Sequence, residues 1–386
     1  MLILNHLMKN VIDTTLVETA PYGSGAEETT EEAIYPRQFT PEPNSEHGGV
    51  PPMQWSWACR KLGLQSSTVI EDFESAPPRA GDVALVRVEK AGFHKYLITA
   101  DNRRLRLYPG AHFTGVFGNR YASDAYEGTI QGLDNLNMLT AAGMIGTVLS
   151  KHSTMAEPTE LSLVGFMSAE DGKRLNLKQR LFRPASARRS PRNLIYIVGT
   201  SMNAGKTTTA TRLIRGLCDL GVRVAACKLT GSVSNRDQDE LAAAASQDVI
   251  DFSDFGFPST YLCSKEELMV LFHAMLAEVS SDDPDVVIME LADGLLQRET
   301  AMLLAEPEIK QSARGLILSA DSALAALWGT ERLRQLGYQV LAVSGKFTSS
   351  PLMMREYYEN DSNIPVLSSV GKAEELSARV RTFLKK

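Results

Sequence analysis

In the second half of the chain, continuous apolar runs of strand length alternate with stretches of helical spacing. Residues 194–198, 222–229, 285–290, 315–320 and 339–344 are the apolar runs, and 364–367 closes the series before a terminal helix. Residues 205–220 and 323–336 carry apolar positions at helical intervals. Strands that are apolar throughout, rather than alternating, are buried on both faces. Helices between them predict a mostly parallel sheet covered on both sides, an α/β domain spanning residues 193–386.

The pattern changes upstream. Residues 82–88, 96–99, 104–108 and 114–117 are short β segments punctuated by Gly and Asp-Asn turns, followed by apolar runs at 144–149 and 161–166. A short helix is predicted over 53–62, carrying Trp55 and Trp57, and a helical stretch over 133–142. Many short strands at this spacing predict a smaller β-rich domain, a barrel or a sandwich, over residues 53–184.

The remaining segments are polar. Residues 1–52 form an N-terminal segment, and from 21 onward it is rich in Gly, Glu, Thr and Pro, with too few apolar groups to offset the entropy of ordering. A mobile acidic arm or a strap over a neighbour is expected there. Residues 185–192, small residues with a Pro and four arginines from 183 onward nearby, read as a linker. As a tether the basic cluster stays solvated; as a contact it would meet a phosphate or nucleic acid.

At 386 residues the chain has room for about two domains. A net charge of −6 gives no whole-chain case for nucleic acid or an anionic membrane. Cys59, Cys218, Cys227 and Cys263 lack Cys-x-x-Cys spacing and read as reduced thiols. No apolar run approaches membrane-spanning length, and the first residues lack the marks of a signal peptide. A cytoplasmic location is the expectation.

The densest chemistry follows the first apolar run of the α/β region. Thr200, Ser201, Met202, Asn203, Ala204, Gly205, Lys206 and Thr207, with Thr208 beyond, fill a phosphate-binding frame between a strand and a helix. In such a loop the backbone N–H groups and the helix N-terminus cradle phosphates. Lys206 is then expected to reach the β- and γ-oxygens, and Thr207 to hold Mg²⁺. The frame begins with Thr200 instead of Gly, with Gly199 one place earlier.

Three further segments fall at strand carboxyl ends, where α/β sheets bind ligands. Lys228 either meets the γ-phosphate or an anionic substrate, or is an ordinary exposed loop lysine. Asp237 and Asp239 are candidate metal ligands, and one of them is expected to cap the following helix. Glu290 ends an apolar run and is expected to hold Mg²⁺ or its water, or to polarise the attacking group. Lys346, in Ser344-Gly-Lys-Phe, either flanks a purine or sits in a plain turn.

Gly-Thr-x-x-x-x-Gly-Lys-Thr, the strand-end Lys228 and the strand ending in Glu290 together resemble the dethiobiotin synthetase and cobyric acid synthase branch of P-loop NTPases. The likeness covers about residues 193–386. Thr230-Gly231 and residues 250–256 also resemble a P-loop family of proposed D-glutamate N-acetyltransferases. After Glu290 the chain reads Leu-Ala-Asp-Gly where dethiobiotin synthetases have Gly-Ala-Gly-Gly. Ser201 stands where septum-site ATPases carry a second lysine, and no Asn-Lys-x-Asp guanine tetrad follows. These features imply ATP over GTP.

The resemblance and the residues lead to one expected activity. It is Mg²⁺- and ATP-dependent phosphoryl transfer to a small carboxylate or carbamate, with Lys206, Lys228 and Glu290 as the catalytic set. Two other classes are left open, an ATP-hydrolysing switch acting on a protein partner and an inert nucleotide-binding module, and a homodimer is an open arrangement for each. In the β-rich domain, the segment around Asn119, Arg120 and Tyr121 is the most site-like. Arg pairs with carboxylates in bidentate fashion, so this segment is expected to help close the sheet's carboxyl edge. His94 and His152 are too scattered to make a metal site.

Overall fold

The computed structural model describes residues 53–62, 68–70, 76–168, 172–185, 191–245, 247, 249–361, 363–368 and 380–381. The expected acidic arm, most of the linker and most of the terminal helix lie outside them. Residues Val50–Lys386 form one compact unit.

The upstream half is built from β1 (Thr68–Ile70), β2 (Val83–Lys90), β3 (Tyr96–Ile98), β4 (Arg104–Arg106), β5 (His112–Phe117), β6 (Tyr126–Thr129), β7 (Leu136–Met138), β8 (Met144–Lys151) and β9 (Glu160–Ser168). Strands β9, β2, β5, β8 and β7 pair in a ring, because β7 bonds both β8 and β9. The expected β-rich domain is therefore a small closed barrel, with β1 and β6 added outside the ring and β3–β4 as a separate hairpin. Phe113, Phe117, Met138, Ile145 and Phe166 help fill its interior.

Two local predictions change. Residues 133–142, expected as helix, contain β7; pairing with two strands overrides the local helical spacing and completes the ring. Residues 53–62 hold only a single 3₁₀ turn, Trp57–Cys59.

The downstream half is a sheet of β10 (Leu194–Gly199), β11 (Val224–Lys228), β12 (Val249–Asp251), β13 (Val286–Glu290), β14 (Gly315–Ser319) and β15 (Val340–Ser344). Its order is β12-β11-β13-β10-β14-β15, and every neighbouring pair is parallel. Residues 364–367 join it through a single bridge, Val343 to Val366, instead of a full strand.

Burial explains the continuous apolar runs. In β10, Leu194, Tyr196 and Val198 enter one core and Ile195 and Ile197 the other. The helix Lys206–Asp219 covers the second face with Ala210, Leu213, Ile214 and Leu217, spaced as one helical stripe. The helix Lys265–Val279 covers the first. A capping box starts it: Ser264 Oγ accepts from Glu267 N at 3.1 Å, and Glu267 Oε2 accepts from Ser264 N at 3.0 Å. Because all six strands run the same way, Gly199, Lys228, Glu290, Ser319 and Ser344 reach one edge together.

The barrel packs against this half. Val233 joins the apolar cluster on the barrel's flank, Phe182 meets Phe257 edge-on, and Tyr121 packs on Tyr261. Arg60 donates to Asp254 Oδ1 at 2.6 Å and to Ser253 Oγ at 2.9 Å.

Candidate functional site

The turn from β10 into the helix Lys206–Asp219 places Gly205 at the helix N-cap with φ +100°, a left-handed conformation that costs other residues more than glycine. The loop is anchored at both ends. Thr200 N donates to Ser319 O at 2.9 Å, and Lys346 N donates to Ala204 O at 3.0 Å. Ser201 Oγ donates to Asp321 Oδ2 at 2.7 Å, and Asn203 Nδ2 donates to Asp124 of the barrel. Thr208 is exposed, while Thr209 is buried and hydrogen-bonds Ser319 and Ser344.

Lys206 is almost fully buried. Its ammonium donates to Ser201 O at 2.8 Å, Met202 O at 3.0 Å and Asp293 O. Three carbonyls thus hold a cation at the mouth of the loop. Burial pulls its pKa down, against the pull of the Glu290 and Asp293 carboxylates.

Beside it, Thr207 Oγ1 donates to Glu290 Oε1 at 3.3 Å. Lys228, one strand over, bonds Asp237 and lies 3.8 Å from Glu290 Oε1. The strand register sets this pair, because Lys228 stands opposite Glu290 across β11–β13. Glu290 Oε2 is buried with no partner. An orphaned carboxylate oxygen costs free energy unless a cation or donor reaches it, so Oε2 is open to one.

The electrostatics of Lys228 and Glu290 pull apart. Burial works against the lysine's charge, but Glu290 and Asp237 outweigh it and hold the pKa above the usual lysine value. Burial also raises Glu290, despite Lys228 and Lys206. The lysine stays charged, since two carboxylates satisfy it, and of the pair Glu290 gains a proton the more easily. Asp293 is likewise raised by burial, against Lys206, Lys228 and Arg120.

The structure thus brings Lys206, Thr207, Lys228, Asp237 and Glu290 together. It does not bring Asp239, which is exposed and accepts from Asn102 Nδ2 at 3.0 Å. Neither aspartate caps the helix Asn235–Ala242: Ser234 is the N-cap, and both lie inside the first turns. The helix begins at Asn235, at least three residues before a start capped by either aspartate, and Asp237 meets Lys228 while Asp239 does not. Among the described residues, no three His, Cys, Asp or Glu side chains converge as a metal site.

Two residues without an assigned role prove central. Asp293 gives its carbonyl to Lys206, and its neighbour Ala292 is clamped by Thr230, whose Oγ1 accepts from Ala292 N at 2.8 Å. The one sequence signal was their place just past the strand-ending acid.

A cavity of about 270 Å³ opens beside this group, between barrel and sheet. Arg120, His94 and Thr140 line it from the barrel side; Met202, Lys228 and Asp293 line it from the other.

Strand, glycine-anchored loop, buried lysine and helix on a six-stranded parallel sheet make the downstream half a P-loop NTPase fold. No family model matches the chain, and no curated protein matches it. Among solved structures it is similar to the signal recognition particle receptor FtsY from Elizabethkingia anophelis, at 18% identity over 54% of this chain and 70% of that one, TM-score 0.32. It is also similar to the hydrogenase maturation factor HypB from Archaeoglobus fulgidus, at 13% identity over 50% and 90%, TM-score 0.34. The kinase domain of the Escherichia coli tyrosine kinase ETK aligns at 18% identity over 39% and 66%, TM-score 0.29. At such scores the likenesses carry no functional weight. No helix among the described residues is long and apolar enough to cross a membrane.

Proposed function

We propose that the chain is a Mg²⁺-dependent, ATP-using enzyme that moves the γ-phosphoryl group to a small anionic acceptor, in the manner of an ATP-dependent ligase. One observation carries this reading. Two buried lysines, Lys206 and Lys228, flank Glu290 at the carboxyl edge of the sheet, and a cavity of about 270 Å³ adjoins them. A site that only hydrolyses nucleotide needs no second chamber, whereas transfer to an acceptor requires room to hold one beside the phosphates.

In this reading the loop N–H groups and Lys206 bind the nucleotide's phosphates, and Lys228 neutralises charge on the transferred group. Lys206 leaves its three carbonyl partners to do so. Thr207, Asp237 and Glu290, with its unpartnered Oε2, would hold Mg²⁺, which supplies further charge neutralisation. With a carboxylate acceptor, one of its oxygens attacks the γ-phosphorus. The bond to the β,γ-bridging oxygen breaks, and ADP leaves with that electron pair. No proton need be removed from the nucleophile, which suits a site whose buried acids sit beside lysines.

The resemblance to the dethiobiotin synthetase and cobyric acid synthase branch supports a carboxylate or carbamate acceptor and, with no guanine tetrad, ATP as donor. A cytoplasmic location accords with it. An ATP-hydrolysing switch remains the second reading. The hydrogen bond from Asn203 in the phosphate loop to Asp124 on the barrel favours it, since nucleotide bound at the loop would be felt there. ADP release measured against a panel of small carboxylates separates the two: stimulation by a carboxylate supports transfer, and stimulation only by a protein supports the switch.

A further inference from the structure

Arg120 is the one cation of the cavity without a carboxylate in contact. Lys228 is matched by Asp237 and Glu290, whereas no ion pair of Arg120 occurs among the described residues. Its guanidinium donates to Leu139 O and lies 3.3 Å from His94 Nε2. Asp124 and Asp293 act on it through their charge, and neither forms an ion pair with it among the described residues. Arg carries five donors in a planar fork, so two contacts leave most of that capacity unspent in a part-buried place.

His94 does not compete for the cavity as a second charge. Burial and Arg120 push its pKa down to about 4, so it is neutral at physiological pH. Its ring packs between Phe93 and Tyr126 and bonds Leu139 O at 3.0 Å, which fixes the wall behind Arg120. Tyr121 and Thr140 add hydroxyl-bearing side chains to the lining, and Ala141 and Ala142 keep one wall small. A volume of about 270 Å³ falls just below the range of ~300–1,000 Å³ usual for ligand clefts, which limits the occupant to a small molecule.

We propose that this chamber between barrel and sheet is a binding site for a small carboxylate, anchored on the guanidinium of Arg120 with its other end toward Lys228 and Asp293. The anchoring does not depend on the reaction proposed above; that the bound molecule is the phosphoryl acceptor does rest on it. Arg120 is then a binding residue contributed by the barrel, which explains why a barrel is fused to this face of the sheet. On the opposite side Lys228 can face a second anionic group beside Asp237 and Asp293. A dicarboxylate would thus be held at the barrel end by one carboxylate and present the other toward the phosphate loop, whereas a monocarboxylate would bind without reacting.

The test is calorimetric titration of the full chain, with and without Mg-ADP, against mono- and dicarboxylates of two to six carbons and their neutral amides. At least one carboxylate should bind with 1:1 stoichiometry and at least tenfold more tightly than its amide. Arg120→Ala should weaken it by at least thirtyfold, Arg120→Lys by less, and both should keep ADP affinity within twofold. Ala141→Trp, which fills the chamber from another wall, should abolish carboxylate binding and spare ADP, so the test does not hang on one variant. Absence of binding by every carboxylate, or an affinity unchanged from the parent chain in either Arg120→Ala or Ala141→Trp, overturns the site. Carboxylate binding without any stimulated ADP release would leave the site standing and count against the transfer reaction.

Discussion

Each lysine of the site is held in a different way, and the difference sets what its removal does. Lys206 is satisfied by three carbonyl oxygens. Lys206→Ala should lower ATP affinity by at least a hundredfold in calorimetry, because the charge facing the β- and γ-phosphates is lost. It should also cost about 1–3 kcal/mol of stability, since those carbonyls lose a buried donor. Retained ATP affinity would refute the loop assignment. Glu290 makes the opposite trade. Burial raises its pKa, so its proton is held more tightly in the folded chain than in the unfolded one. Its ionised form therefore disfavours the fold above the folded pKa, and that penalty fades as pH falls below it. Glu290→Gln should raise stability at pH 8 by about 1 kcal/mol, a gain typical of relieved functional sites. The gain should shrink toward pH 4, while Mg²⁺-dependent turnover falls by two orders of magnitude or more. Destabilisation of this variant at pH 8 would show that the ion pair with Lys228 outweighs burial.

Among the elements, β10, β11, β13, β14 and β15 were legible because burial on both faces writes an uninterrupted apolar run, whereas the three-residue edge strand β12, only partly buried, writes none. The loop was legible because Gly205, Lys206 and Thr207 sit between such a run and a helix. Strand β7 was hidden, since Leu136–Met138 gains its identity only from pairing with β8 and β9. The helix Lys265–Val279 carried a readable start, Ser264 with Glu267 three places on, but its apolar residues spread around much of the helix and blur the periodicity. Asp237 and Asp239 could not be told apart without the helix phase, which begins at Asn235. The support that β15 gives the phosphate loop was hidden as well. Gly345 has φ +103°, and a Cβ there would lie 2.3 Å from Ala204 O and 2.5 Å from Ala320. Gly345→Ala should displace the loop, reducing ATP affinity at least tenfold and stability by about 2 kcal/mol or more. A variant with unchanged nucleotide affinity would show that this turn does not brace the loop.

At the scale of the molecule, the barrel and the sheet are joined by a part-buried charge cluster as well as by apolar contact. Arg60, next to the 3₁₀ turn Trp57–Cys59, reaches Asp254 at 2.6 Å and Asp251 at 3.6 Å. Lys61 approaches Asp254 at 3.6 Å from a more exposed position, and Gln238 Nε2 donates to Asp254 Oδ2 at 3.2 Å. Two acids therefore lean mainly on one arginine. Burial, and next the neighbouring Asp254, push the pKa of Asp251 up, while Arg60 and the Ser253 hydrogen bonds oppose that rise. Removing Arg60 leaves both carboxylates without their main counter-charge, a loss of about 3–5 kcal/mol for a buried pair. The pH dependence follows from the direction of the Asp251 shift. A carboxyl with a raised folded pKa disfavours the fold when ionised, and more so without Arg60. Protonation relieves that penalty as pH falls. Arg60→Ala should therefore be much less stable than the parent at pH 8, with the deficit narrowing by pH 5, in urea denaturation at matched salt. Gln238 lies on the same helix as Asp237, so the variant should also loosen the hold on Lys228 and slow turnover more than it weakens ATP binding. A deficit that is constant from pH 8 to pH 5 would mean that Arg60 acts through its packing on Trp57, where its guanidinium lies 4.7 Å from the ring centre, and not through the two aspartates.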